Sequence, residues 1–241
     1  MIRGLVFDLD DTLCDDTASY HAAALDVARA FAREHACDPE ALKEAYVREA
    51  DGFWQRLSHA ELGKNIGSLR ERMWEAALAD VGIAQPGAAR RAAEHYNRAR
   101  NGNLALFPRV EESLRRWREG YRLALLTNGF SETHREKIAL LEIEPYFDAI
   151  LIADEVGMVK PDPRVFLHAC ERLQTEPAAT AMVGDRYERD IAGAIEAGLR
   201  TVWVNVRNEP LPLEATPPDA IVTAIGELDA VLARWAGAAG A

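Results

Sequence analysis

The chain has 241 residues, of which 49% are hydrophobic and 28% charged, with a formal net charge of −11. The length allows one large domain or a core with a smaller partner, and a sizeable buried interior. The acidic balance argues against a nucleic-acid binder, which carries a basic footprint, and against an anionic membrane surface as partner. A phosphorylated substrate stays open, because a bound cation and a lysine reverse the field locally.

The chain opens with an apolar run, residues 2–7 (IRGLVF), that stops abruptly at Asp8. Such a run fits a strand buried on both faces of a parallel sheet. Acidic residues arrive too soon after it for a signal peptide. The three cysteines, Cys14, Cys37 and Cys170, are scattered and show no metal-like spacing. They read as free thiols of a reducing compartment, so the cytoplasm is expected. No apolar run approaches the length that spans a bilayer.

From about Thr17 to Arg100 the sequence is rich in Ala, Arg and Glu and lacks strand-like runs. Four helices are expected there, at roughly 17–35, 39–61, 68–81 and 86–100. Pro39 and Pro86 lie near two of the starts. Asp51-Gly52, the segment 63–67 and Gly82 are candidate breaks. Core patterns resume at Phe107-Pro108, with a helix expected over about 109–119.

Four further apolar runs follow: 122–129 (RLALLTNG), 149–154 (AILIAD), 180–185 (TAMVGD) and 201–205 (TVWVN). Between them, 131–141, 163–173 and 190–197 carry apolar residues at helical spacing, and Gly198 suits a helix end. Alternating strands and helices imply a parallel sheet covered on both faces. The terminal AGAAGA is expected to fray.

In such a sheet, ligands bind beyond the carboxyl ends of the strands. Asp8 and Asp10 fall there, on one side of the chain if it stays extended. Thr127 and Asn128 follow the second run, Asp185 follows the fourth, and Lys160 comes a short loop after the third. Clustered carboxylates repel one another, and a hard divalent cation relieves that repulsion. Mg²⁺ binds one or two carboxylates together with substrate phosphate oxygens. A carboxylate is also a nucleophile toward phosphorus, and phosphoryl transfer then needs mainly positioning and neutralised oxygen charge. Thr127, Asn128 and Lys160 could supply both. Each motif alone reads more readily as a turn, a helix cap or a solvated charge; their order and their common place at strand ends favour a site.

At these residues the chain resembles the haloacid dehalogenase (HAD) superfamily. The motifs are Asp8-Leu9-Asp10-Asp11-Thr12-Leu13, Leu125-Leu126-Thr127-Asn128-Gly129, Lys160-Pro161-Asp162-Pro163 and Gly184-Asp185-Arg186-Tyr187-Glu188-Arg189-Asp190. The resemblance implies an α/β fold: a doubly wound, Rossmann-like parallel-sheet core over 1–15 and 104–241, and an inserted all-helical cap over 16–103. It implies that Asp8 is the nucleophile and that Asp10 protonates the leaving oxygen and then activates water. Mg²⁺ would be held by Asp8, the Asp10 carbonyl and Asp185, with phosphoryl oxygens on Thr127 and Lys160 and Asn128 beside them. Asp190 would act through water on the metal or by orienting Lys160; otherwise it caps a helix. Asp11, where many members have glycine, reads as a turn or capping residue.

The resemblance further implies a phosphatase acting on a small phosphorylated metabolite, of sugar phosphate or nucleoside monophosphate type, as a monomer or homodimer. Asp10 counts against a haloacid dehalogenase, because a halide leaves without a proton. The segment 57–69 lacks the signature expected of a hexose-phosphate mutase. A non-catalytic phosphate binder is opposed by the complete set of charged motif residues. The second half is most similar to phosphatases of N-acylneuraminate 9-phosphate and to house-cleaning nucleotidases. Tyr20, His21, Trp54, Arg56 and Lys64 are candidate cap contacts, each with an alternative reading as core, capping or solvated residue.

Overall fold

The apolar run at the N-terminus becomes the middle of a parallel sheet. The structure, a computed structural model, describes residues 1–57, 60, 63 and 65–238; the candidate Lys64 lies outside them. It divides into two units, Met1–Asp15 with Leu106–Ala241, and Asp16–Ala105.

In chain order the elements are β1 (Gly4–Phe7), α1 (Asp16–Glu34), α2 (Pro39–Gln55), α3 (Ile66–Asp80), α4 (Ala88–Asn103), α5 (Val110–Trp117), β2 (Arg122–Thr127), α6 (Ser131–Leu140), β3 (Ala149–Ile152), α7 (Ala153–Val156), α8 (Pro163–Leu173), β4 (Thr180–Gly184), α9 (Ala192–Glu196), β5 (Arg200–Val204), β6 (Ala220–Val222) and α10 (Leu228–Ala238). The six strands run in the order β3-β2-β1-β4-β5-β6, with every neighbouring pair parallel. This is the doubly wound α/β fold that the sequence implied. The strand order reverses at β1, whose neighbours are β2 and β4, and sheets of this kind bind ligands beyond the carboxyl ends of the strands at that point.

The expected strands hold with shorter ends. The 149–154 run stops at Ile152, and Ala153 starts the helical turn α7, which ends at Gly157 in the left-handed conformation. Lys160 therefore follows a helical turn rather than the strand directly. The helix expected over 109–119 is Val110–Trp117, because Arg109 takes a positive φ of 68°. The helix expected from Asp190 instead begins with a wide π-type turn, Tyr187–Ile191, and continues as α9. β6 and α10 were not expected from the sequence. β6 has only three residues, with Ile221 exposed between buried Ala220 and Val222, which is too short for a periodic signal.

The sheet has fully buried strand residues on both faces, as its continuous apolar runs require. On one face Val6, Ala124, Leu126 and Met182 pack with Val165, Phe166, Ala169 and Leu173 of α8. Elsewhere in this unit Phe7 stacks on Trp117 of α5, with ring centroids 5.2 Å apart.

In the helical unit, α2 ends at Gln55 rather than at 61, and Asp51-Gly52 lies inside it rather than breaking it. Buried Leu42, Ala45, Tyr46 and Ala50 keep one face of α2 packed through that point, so tertiary contact overrides the weak propensity of glycine. Gly67 lies in the first turn of α3, where the Asn65 side chain accepts from the Ser68 N–H; Gly82, at φ 79°, follows the end of that helix. The interior is aromatic: Tyr46 stacks on Trp74 at 4.0 Å and tilts against Tyr96 at 4.9 Å. Arg100 of α4 donates to both oxygens of Asp16 of α1, at 2.6 and 2.7 Å, and this pair is buried.

Candidate active site

The carboxyl end of β1 is fixed by its neighbour: the Asp8 N–H donates to the Val183 carbonyl of β4 at 3.0 Å. Asp8 is buried, and its Oδ1 accepts from Lys160 Nζ at 2.7 Å. The same ammonium lies 2.6 Å from Asp190 Oδ1. Lys160 is held at the backbone by Asn128, whose Oδ1 accepts from the Lys160 N–H at 2.8 Å and whose Nδ2 donates to the Lys160 carbonyl at 2.9 Å. The Asn128 amide is thus a clamp on the lysine loop, a placement that its position beside Thr127 did not reveal. Thr127 is buried at the carboxyl end of β2.

Asp185 follows β4 and lies 3.3 Å from the Arg186 guanidinium. Asp190 comes from the π-type turn, and its Oδ2 accepts from the Arg186 N–H at 2.9 Å. Its carboxylate occupies the space where a side chain on Gly184 would stand. A Cβ there would lie 2.5 Å from Asp190 Cγ and Oδ2. Gly184→Ala should therefore push Asp190 off Lys160, cost roughly 1–3 kcal/mol by overpacking and lower turnover. Thermal melting and an activity assay check both effects; an unshifted melt with full activity overturns the prediction.

Asp8, Asp185 and Asp190 each place a carboxylate oxygen within 4.8 Å of the others. Burial raises the Asp8 carboxyl from 3.8 to about 7; Lys160 opposes that rise, and Asp190 and Asp10 add to it. Asp185 is also pushed well up, by burial first and then by Asp190 and Asp8. For Lys160 burial is the largest influence and acts downward, but Asp190 and Asp8 outweigh it and the ammonium is raised. Buried Asp8 and Asp190 share the Lys160 ammonium, and half-buried Asp185 faces the Arg186 guanidinium; three carboxylates set against two cations leave negative charge of the kind a divalent cation neutralises. The donor set is all oxygen, which suits Mg²⁺ or Ca²⁺ rather than a thiophilic metal.

Asp10 sits beside this cluster. Both of its oxygens accept from Lys137 Nζ of α6, at 2.7 and 2.8 Å, and His134 Nε2 lies 3.4 Å from Oδ2. Gly129 makes room for that histidine: a Cβ on it would lie 1.9 Å from His134 Cε1. Sequence reasoning missed both residues. The available signal was polar residues on the inward face of α6, where Thr133, His134, Lys137 and Ile138 are all buried. Asp11 has φ 58° and accepts from Arg207 at 2.8 Å. A left-handed turn residue explains why glycine and aspartate both serve at this position.

The cap candidates have more ordinary surroundings. Tyr20 is half-buried and its hydroxyl donates to Asp51 at 3.0 Å, while its ring stacks on His21. Trp54 is half-buried rather than part of the core, and Arg56 is exposed. No described helix is long and apolar enough to cross a membrane.

Comparison with known proteins gives a consistent picture. The family described as haloacid dehalogenase-like hydrolase matches residues 2–198. The chain is 34% identical to the N-acylneuraminate-9-phosphatase of Homo sapiens, covering 96% of this chain and 94% of that protein. It is 37% identical to the phosphoserine phosphatase of Thermus thermophilus, covering 88% and 92%. A crystal structure described as a 2-haloacid dehalogenase from Pseudomonas syringae pv. Tomato is 31% identical, with a TM-score of 0.66, covering 98% of this chain and 100% of that one.

Proposed function

Because this chain belongs to the haloacid dehalogenase-like hydrolase family, we propose that it is a Mg²⁺-dependent phosphatase that hydrolyses a small phosphate monoester through an aspartyl phosphate on Asp8. The observation that carries the proposal is Asp10: a second carboxylate two residues beyond Asp8, held by Lys137 at 2.7 and 2.8 Å. A dehalogenase has no use for a proton donor at that place, because a halide leaves unprotonated. Phosphatase relatives in organisms as distant as human and Thermus thermophilus support the same choice.

In this reading Asp8 attacks phosphorus, and the bond from phosphorus to the leaving oxygen breaks as Asp10 gives that oxygen a proton. Asp10 then takes a proton from water as the water attacks the aspartyl phosphate and frees Asp8. Lys160 and Thr127 hold the phosphoryl oxygens, and Asn128 and Asp190 hold Lys160 in place. Asp8, the Asp10 carbonyl and Asp185 would bind Mg²⁺, with Asp190 supporting them. The ion, when bound, supplies positive charge to the phosphoryl oxygens. The helical unit, Asp16–Ala105, is read as the cap that selects the leaving group. The substrate class is a sugar phosphate, a phosphorylated amino acid or a nucleoside monophosphate. The enzyme would act in the cytoplasm as a monomer or homodimer.

The test is phosphate release with and without Mg²⁺ from p-nitrophenyl phosphate, N-acylneuraminate 9-phosphate, phosphoserine and nucleoside monophosphates, with 2-chloropropionate as the rival substrate. Mg²⁺-dependent phosphate release with no chloride release is the expected result. Chloride release without metal, or tight binding of phosphate esters with no turnover, overturns the reading.

A further inference from the structure

Lys137 is a lysine whose side chain is only 4% exposed, joined to a carboxylate that is 28% exposed. Taking an ammonium out of water is costly unless its partner geometry is good. Here one nitrogen bridges both oxygens of Asp10 at 2.7 and 2.8 Å, which fixes the carboxylate plane as well as its distance. His134, one turn earlier on the same helix face, closes in on Oδ2 at 3.4 Å. The helix carrying both is itself anchored. Asp154 accepts from the Ser131 N–H at 3.0 Å, and Arg135 grips Glu155 through two hydrogen bonds at 2.8 and 2.6 Å. Ile138, next to Lys137, is buried in the core. Asp10 thus has its orientation set by a rigid element outside the motif that contains it.

We propose that Lys137 is a positioning residue for the acid–base step: it aims the Asp10 carboxyl at the leaving-group oxygen. The proposal rests on the phosphatase reading and extends it to a residue outside the four motifs. Lys137 keeps its own protons throughout. The proton that reaches the leaving oxygen comes from Asp10 as the oxygen–phosphorus bond breaks, and the bond electrons go to that oxygen. A positioned general acid contributes roughly 10²- to 10⁴-fold, and a misplacement of about 1 Å can forfeit on the order of 10²-fold. The loss falls only on substrates that need the proton. An alkyl oxygen is a poor anion and needs it, whereas p-nitrophenolate departs without it.

The experiment compares kcat/KM, which reports the steps up to transfer, for phosphoserine and p-nitrophenyl phosphate in Lys137→Met and Lys137→Gln. If phosphoserine proves a poor substrate, the best alkyl phosphate of the panel replaces it. The expected result is a roughly 30- to 100-fold fall for the alkyl ester and less than about threefold for the aryl ester. The ratio of the two is unaffected by how much of a variant is folded, so a destabilised protein still answers the question. In an Asp10→Asn background, Lys137→Met should change that ratio no further. Equal losses on both substrates, or a ratio change that adds to that of Asp10→Asn, overturn the proposal. Failure of the phosphatase reading looks different: wild type then releases no phosphate from either ester.

Discussion

Asp8→Asn should abolish turnover, lowering it by at least about a thousandfold, because the amide is a poor nucleophile toward phosphorus and cannot form the covalent intermediate. Phosphate release at saturating Mg²⁺ measures the loss, and residual activity above about a tenth of wild type would remove Asp8 from the nucleophile role. The same variant has a second signature in its stability. Asp8 in the fold is raised to about 7 by burial, so the native metal-free protein holds a proton there that the unfolded chain gives up near 3.8. Between those values the folded state binds the extra proton, and the contribution of this group to stability falls as pH rises. Asparagine has no such proton. In metal-free protein the melting temperature of Asp8→Asn minus that of wild type should therefore grow from about pH 4 to about pH 7 and level off above. Saturating Mg²⁺ should shrink or reverse the difference, because the ion favours the ionised carboxylate that only wild type has.

Lys160→Met is expected to have the other large effect, on stability and activity together. The side chain is 2% exposed and is shared by Asp8 at 2.7 Å and Asp190 at 2.6 Å. Removing one partner of a buried ion pair costs about 3–5 kcal/mol, because the charge left behind has neither water nor a counterion. For a chain of this size that corresponds to a melting temperature lower by roughly 10 °C. Mg²⁺ should restore part of the loss, since it can occupy the field that the ammonium vacates, but it should not restore turnover. A melt that is unchanged, or one that Mg²⁺ leaves where it was, would mean that Lys160 and the carboxylate cluster do not share one electrostatic site.

The architecture was readable because its signals are local. Each central strand is a short apolar run with a polar stop, and the run of Ala, Arg and Glu between Thr17 and Arg100 could hardly be anything but helical. The convergence of Asp8, Lys160 and Asp185 was readable because a parallel sheet delivers strand ends to one rim. What escaped was set by tertiary contact. Gly52 has a weak helical propensity, yet the packed face of α2 carries the helix through it. β6 is held by its ladder with β5 and is too short to announce itself. Lys137 lies in none of the four motifs, and only the inward face of α6 brings it onto Asp10. Asn128 reads from the sequence as lying beside the phosphate, and its place there does not show that its amide clamps the Lys160 backbone.

The position of β1 has a consequence for synthesis. The strand that leads into Asp8 is made well before either of its partners: Gly4 pairs with Arg122 on one side and with Thr180 on the other. A ribosome must add more than a hundred residues before either ladder can begin, and loop closure over such distances slows folding. The helices of Asp16–Ala105 can meanwhile form contacts among themselves. During that interval the N-terminal run is an apolar segment without a ladder, the kind of exposure that invites aggregation or chaperone binding. A chain released before Thr180 would carry Asp8 and Lys160 and still lack the candidate site, because the strand that fixes Asp8 through Val183 would be missing.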